Sequence, residues 1–113
     1  MKRLTIDQTW TKCLKMWRWI VRERRKSGYR ADVQKLKEQY FAKKRFKPSN
    51  LCWFCEYNDQ HGNRENCDKC LGAIADKVNN RYAWCNMHYD WQRRPIAFLA
   101  ELNRLNRIRR AKK

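Results

Sequence analysis

Two short cysteine pairs constrain this chain more than any other feature: Cys52-Trp53-Phe54-Cys55 and, eleven residues on, Cys67-Asp68-Lys69-Cys70. Four thiolates supplied as two Cys-x-x-Cys pairs match the ligand number of a tetrahedral structural zinc. Each pair can turn both sulfurs toward one ion, and Glu56–Asn66 is long enough to bring the second pair back to the first. A chain of 113 residues fits one compact domain, and chains this short often rely on such a staple because little of their surface can be buried. Only three Gly and two Pro occur, too few for a loop-rich disulfide miniprotein. With no apolar run after the charged start Met1-Lys2-Arg3, no secretory leader is expected, and a reducing compartment favours metal over disulfide.

Further candidate ligands surround the tetrad. Cys85-Asn86-Met87-His88 has ligand spacing, so Cys85 or His88 could replace a member of the second pair. His61-Gly62-Asn63 reads as a solvated loop, and Cys13 as a core thiol. Four sulfurs would close the coordination shell, whereas a catalytic zinc keeps a position open for water. The deaminase signature, His-Glu-x-x-His, a Gly-rich phosphate loop and a Ser nucleophile elbow do not occur. No histidine base for a His-Asn-His nuclease can be placed on His61 or His88. A non-enzymatic protein with structural Zn²⁺ is the expectation.

The chain divides by charge. Residues 1–50 carry 16 basic and 4 acidic side chains, 51–94 carry 6 of each, and 95–113 carry 6 and 1, within a net charge of +17. The periodicity divides it the same way. After the N-cap candidates of Thr5-Ile6-Asp7, Trp10, Leu14, Trp17 and Val21 recur at helical spacing, with Cys13 and Ile20 beside them, predicting a helix over 6–26 that Ser27-Gly28 ends. Asp32 can cap a second helix to about Arg45, with Val33, Leu36, Tyr40 and Phe41 inward and Lys35, Lys37, Lys43 and Lys44 outward. Pro48-Ser49-Asn50 breaks the pattern. Residues 51–94 read as irregular, with a short helix over Leu71–Val78. Pro95 suits the first turn of a last helix whose inner face is Phe98, Leu102 and Leu105, supported by Ile96, Leu99 and Ile108; the tail from Arg109 to Lys113 reads as frayed. The predicted fold is mainly α with little β: one domain over 1–113, comprising a basic helical hairpin (1–47), a central irregular zinc module (51–94) that clamps the arms, and a basic C-terminal helix (95–113).

The segment Cys52-Trp53-Phe54-Cys55-Glu56-Tyr57, the pair Cys67-Asp68-Lys69-Cys70, the later Cys85, the Trp-rich stretch from Trp10 to Trp19 and Leu102-Asn103-Arg104-Leu105-Asn106-Arg107 together resemble a group of small bacteriophage-encoded Cys-x-x-Cys proteins. In that group a Pro commonly follows the second pair, where this sequence has Leu71-Gly72. The resemblance implies a phage product acting in the bacterial cytoplasm and implies no activity.

Such an excess of cations points to a polyanionic or acidic partner. Lys15, Arg18, Arg22 and Arg25 share one helical stripe, Arg104, Arg107 and Arg110 another, and Lys43 and Lys44 add to them. These nine are the candidate contacts to DNA or RNA phosphates, with Trp19 or Trp53 as candidate stacking rings. An acidic host-protein surface is the alternative partner. No stretch approaches the roughly 18 apolar residues of a membrane span.

Overall fold

The computed structural model of the protein describes residues 3–43, 52–62, 70–76 and 90–111. Among them are five helices and no strand: α1 (Ile6–Lys26), α2 (Val33–Lys43), α3 (Trp53–Gln60), α4 (Leu71–Ala75) and α5 (Pro95–Ala111). The mainly α architecture, with an N-terminal helix pair and a C-terminal helix, is as the sequence predicts.

Local chemistry sets the limits of α1. Thr5 accepts from the Gln8 amide at 3.1 Å while the Gln8 side chain accepts from the Thr5 amide at 3.0 Å, a capping box that satisfies two orphan donors. Leu4 is buried beside it, and its amide donates to Gln60 Oε1 at 2.7 Å, tying the start of α1 to the end of α3. Asp7 in the first turn and Arg24, Arg25 and Lys26 in the last complement the helix dipole. At the other end the Gly28 amide donates to Arg25 O and the Tyr29 amide to Arg24 O at 2.8 Å, the paired bonds of a Schellman stop. Gly28 has φ 69°, which a residue without Cβ adopts freely. Ser27 Oγ then accepts from the amides of Arg30 and Ala31, and Asp32 accepts from Lys35 N at 3.1 Å to open α2.

Helix α1 is the hub against which α2, α3 and α5 all pack, and α4 packs on α5. Its stripe Trp10, Cys13, Leu14, Trp17, Ile20 and Val21 is buried, and Cys13 is a core thiol. Trp10 meets Phe54 of α3 edge-on at 4.9 Å, and Trp17 meets Phe98 of α5 in the same way at 4.9 Å. Such rings combine large apolar burial with a preferred edge-to-face geometry. Contacts Asp7–Arg109 and Arg18–Asn103 show that α1 and α5 run antiparallel. The two basic arms therefore touch directly through aromatic packing, in addition to any clamping by the cysteine segment.

Several expectations need correction. Residues 53–60 form a regular helix in the segment expected to be irregular, because Trp53, Phe54, Glu56 and Asn58 all turn toward the core. Lys37, expected outward, is buried, since Trp17 and Trp91 enclose its stem and charge. Ile96, expected inward, is 41% exposed. The tail is helical through Ala111, and Arg109 is held by Asp7 Oδ1 at 2.7 Å and lies over Trp10.

Candidate functional site

Two features carry chemistry: the first cysteine pair and the cationic face of α1. Cys52 is the N-cap of α3 with extended backbone, φ −146° and ψ 126°, so Cys55 lies in the first helical turn. The pair is thus a helix start. A hydrogen bond from Cys55 lowers the Cys52 thiol from its ordinary 9.0 to about 6, with the Lys37 ammonium and the amides of Cys55 and Phe54 acting in the same direction and burial opposing them. Thiolates are the metal-ligating form, and helix N-termini and nearby cations favour them. Cys52 is half-buried and Cys55 exposed.

Cys70, from the second pair, is buried against the core as the N-cap of α4. Cys67 and the alternates Cys85 and His88 lie outside the described residues. Among the described residues no group of three or more His, Cys, Asp or Glu is gathered as a metal site. What the geometry offers is a hydrogen-bonded dithiol at one helix start.

His61 is not a solvated loop residue. It ends α3, stacks on Tyr57 at 4.1 Å, and uses both ring nitrogens. Arg3 donates to Nδ1 at 2.9 Å, and Nε2 donates to Leu4 O at 3.1 Å in the neutral tautomer those partners select. A metal could take this ring only by breaking one of the bonds.

Lys15, Arg18, Arg22 and Arg25 are all exposed on α1. From Lys15 to Arg25, ten steps of the helix, the row extends about 15 Å at the helical rise. Arg18 Nη2 reaches Asn103 Oδ1 of α5 at 3.5 Å. Between the two helices lies an open groove of about 610 Å³, with Val21, Ile96, Leu99 and Ala100 as its apolar lining and Arg18, Arg22, Arg25 and Lys26 along its α1 side. On α5 the stripe Ile96, Leu99/Ala100, Asn103 continues at spacings of four and three into Arg107 and Arg110, both exposed.

The acidic residues of these helices are already engaged. Glu23 pairs with Lys26, Glu101 with Arg104 and Asp7 with Arg109. Among the described residues no carboxylate pairs with Lys15, Arg18, Arg22, Arg25, Arg107 or Arg110. Arg104 differs from its predicted partners, since Glu101 grips it through Nε and Nη2. Lys43 is exposed with its Nζ 5.0 Å from the Trp19 ring centroid, and Lys44 lies outside the described residues. Neither predicted stacking ring is free: Trp53 is buried and meets Phe41 at 5.1 Å, and Trp19 is half-buried against Tyr40 at 5.6 Å.

Sequence patterning missed two relationships. Lys37 acts on Cys52 although fifteen positions separate them, and Ile96 with Ala100 lines the groove. The helical period of α5 carried the second signal; nothing local carried the first. No helix among the described residues is long and apolar enough to cross a membrane. Comparison with protein families, curated proteins and solved structures yields no match to this chain.

Proposed function

We propose that the protein is a non-catalytic nucleic-acid-binding protein that holds the phosphate backbone along the exposed face of α1 and the adjoining α5 stripe. One observation carries this reading: the row Lys15, Arg18, Arg22 and Arg25 is exposed with no carboxylate partner among the described residues, while the acidic side chains of α1 and α5 are bound elsewhere. A row that only kept the chain soluble would be interspersed with acids. Cations neutralising phosphates release counterions, so the affinity is salt-dependent and largely indifferent to sequence. In this reading Zn²⁺ is structural and held by Cys52, Cys55, Cys67 and Cys70, with the lowered Cys52 thiol supporting the assignment.

Anisotropy titrations with random-sequence DNA and RNA across a salt series test the reading. The expected outcome is affinity that falls steeply with salt and a slope reduced by roughly one for each phosphate contact removed when Arg18, Arg22 and Arg25 are replaced by Gln. Absent binding, or binding indifferent to salt, removes it.

The apolar lining of the α1–α5 groove favours a second reading, in which an acidic amphipathic segment of a host protein docks there and the chain modulates that partner. Retention of a host protein from nuclease-treated bacterial lysate, lost on Ile96→Asp, is the outcome it requires.

A further inference from the structure

Two costs meet at Tyr29, a left-handed backbone and an open aromatic ring. Its φ is 66°, a left-handed conformation that non-glycine residues seldom adopt and bulky ones least. It directly follows Gly28, which also has positive φ, so the turn after α1 holds two consecutive left-handed residues. The Tyr29 position of a Schellman stop frequently returns an apolar contact to the last turn of its helix. Tyr29 instead leaves much of its ring open: the residue is 56% exposed, the most open large hydrophobic residue described. Among the described residues no aromatic, cation–ring or side-chain hydrogen-bond contact falls on it. Backbone strain that packing does not explain points to a task performed outside the fold.

The surroundings specify that task. Arg25 and Lys26 end the cationic side of the α1–α5 groove, and Arg30 follows Tyr29; all three are exposed. The turn itself is firmly built, by the Tyr29 amide on Arg24 O, by Ser27 Oγ on two amides, and by Arg24 Nη1 on Ala31 O at 3.1 Å. A rigid turn thus presents an open ring at the end of a row of cations.

We infer that Tyr29 is a base-stacking platform, and that the nucleic acid bound along α1 is single-stranded at this point. Only an unpaired base exposes a face to such a ring, and stacking of this kind tolerates any base. This inference rests on the nucleic-acid reading above and narrows it to a substrate class.

The test compares labelled oligothymidylate with a duplex of equal length, using the whole chain and the variants Tyr29→Asn and Tyr29→Phe. Asn accepts the left-handed backbone but has no ring, so Tyr29→Asn should keep the melting temperature. It should bind the single strand roughly 5- to 150-fold more weakly, the range of one lost base–aromatic stack, with duplex binding unchanged. Tyr29→Phe should bind both as the parent does. Equal loss on strand and duplex, full single-strand affinity in Tyr29→Asn, or a loss in Tyr29→Phe overturns the stacking role while leaving the α1 reading intact. If the parent chain binds neither probe, both fail together, and the salt series identifies that case.

Discussion

The Nζ of Lys37 sits 3.5 Å from the ring centroid of Trp91 and 5.2 Å from that of Trp17. A cation desolvated against aromatic faces gains roughly 0.5–2 kcal/mol from the ring quadrupoles, and its methylene stem adds packing. Lys37→Ala is therefore expected to destabilise by about 1–3 kcal/mol, and Lys37→Met by less because the stem is kept. Urea denaturation gives both values; an Ala variant as stable as the parent would show the enclosure to be incidental.

A second expectation concerns pH. In the metal-free, reduced protein the Cys52 thiol lies near 6, against 9.0 ordinarily, chiefly through the Cys55 hydrogen bond. The folded state then holds fewer protons than the unfolded state between those values. The stabilisation is complete above pH 9, declines as the solution is acidified, and is lost as the pH falls through 6. The difference in thiolate ultraviolet absorbance between the parent and Cys52→Ser should titrate near 6. A midpoint at the ordinary thiol value, or stability that rises on acidification, contradicts the arrangement.

Metal removal gives a third outcome. If sulfur ligands staple residues 51–94, purified protein carries zinc. A chelator or Cys52→Ser should then lower the melting temperature and loosen the arms, because binding a structural metal is coupled to folding. Direct contact of α1 with α5 limits the loss, so helical circular dichroism should persist in part. Metal-free protein with an unchanged melting curve and oxidised cysteines would sink the proposal.

The fourth expectation concerns α5, whose Leu102 is fully buried. Leu102→Ala should cost about 2–5 kcal/mol, the range for truncating a core leucine. A change below about 0.5 kcal/mol, typical of surface sites, would mean that α5 is an undocked arm.

The start of α1 supplies the fifth. Replacing Thr5 by Ala removes one half of the capping box and should cost about 1 kcal/mol. Its coupling to Gln8→Ala in a double-mutant cycle should be positive, and an additive pair would show that the two hydrogen bonds act separately.

What could be read in the chain follows the range of the forces involved. The limits of α1 were legible because a cap at Thr5 and a stop at Ser27-Gly28 each act within a few residues of the helix end they set. The inner stripes of α1, α2 and α5 were legible because a helix repeats its burial with a fixed period. The mainly α fold followed from those two facts.

Tertiary structure decided the rest. Lys37 occupies a position that its lysine-rich neighbours mark as outward, and only Trp17 and Trp91, brought from α1 and the turn before α5, turn it into a buried cation. Trp53 was offered as a free ring and is core, since α3 folds onto α1 and α2. His61 is occupied by Arg3 and Leu4, more than fifty positions away. The groove between α1 and α5 exists only because helices distant in sequence run antiparallel side by side. Caps and periods are local and written in the order of residues; which ring meets which charge depends on how helices pack, and that is settled by the fold as a whole.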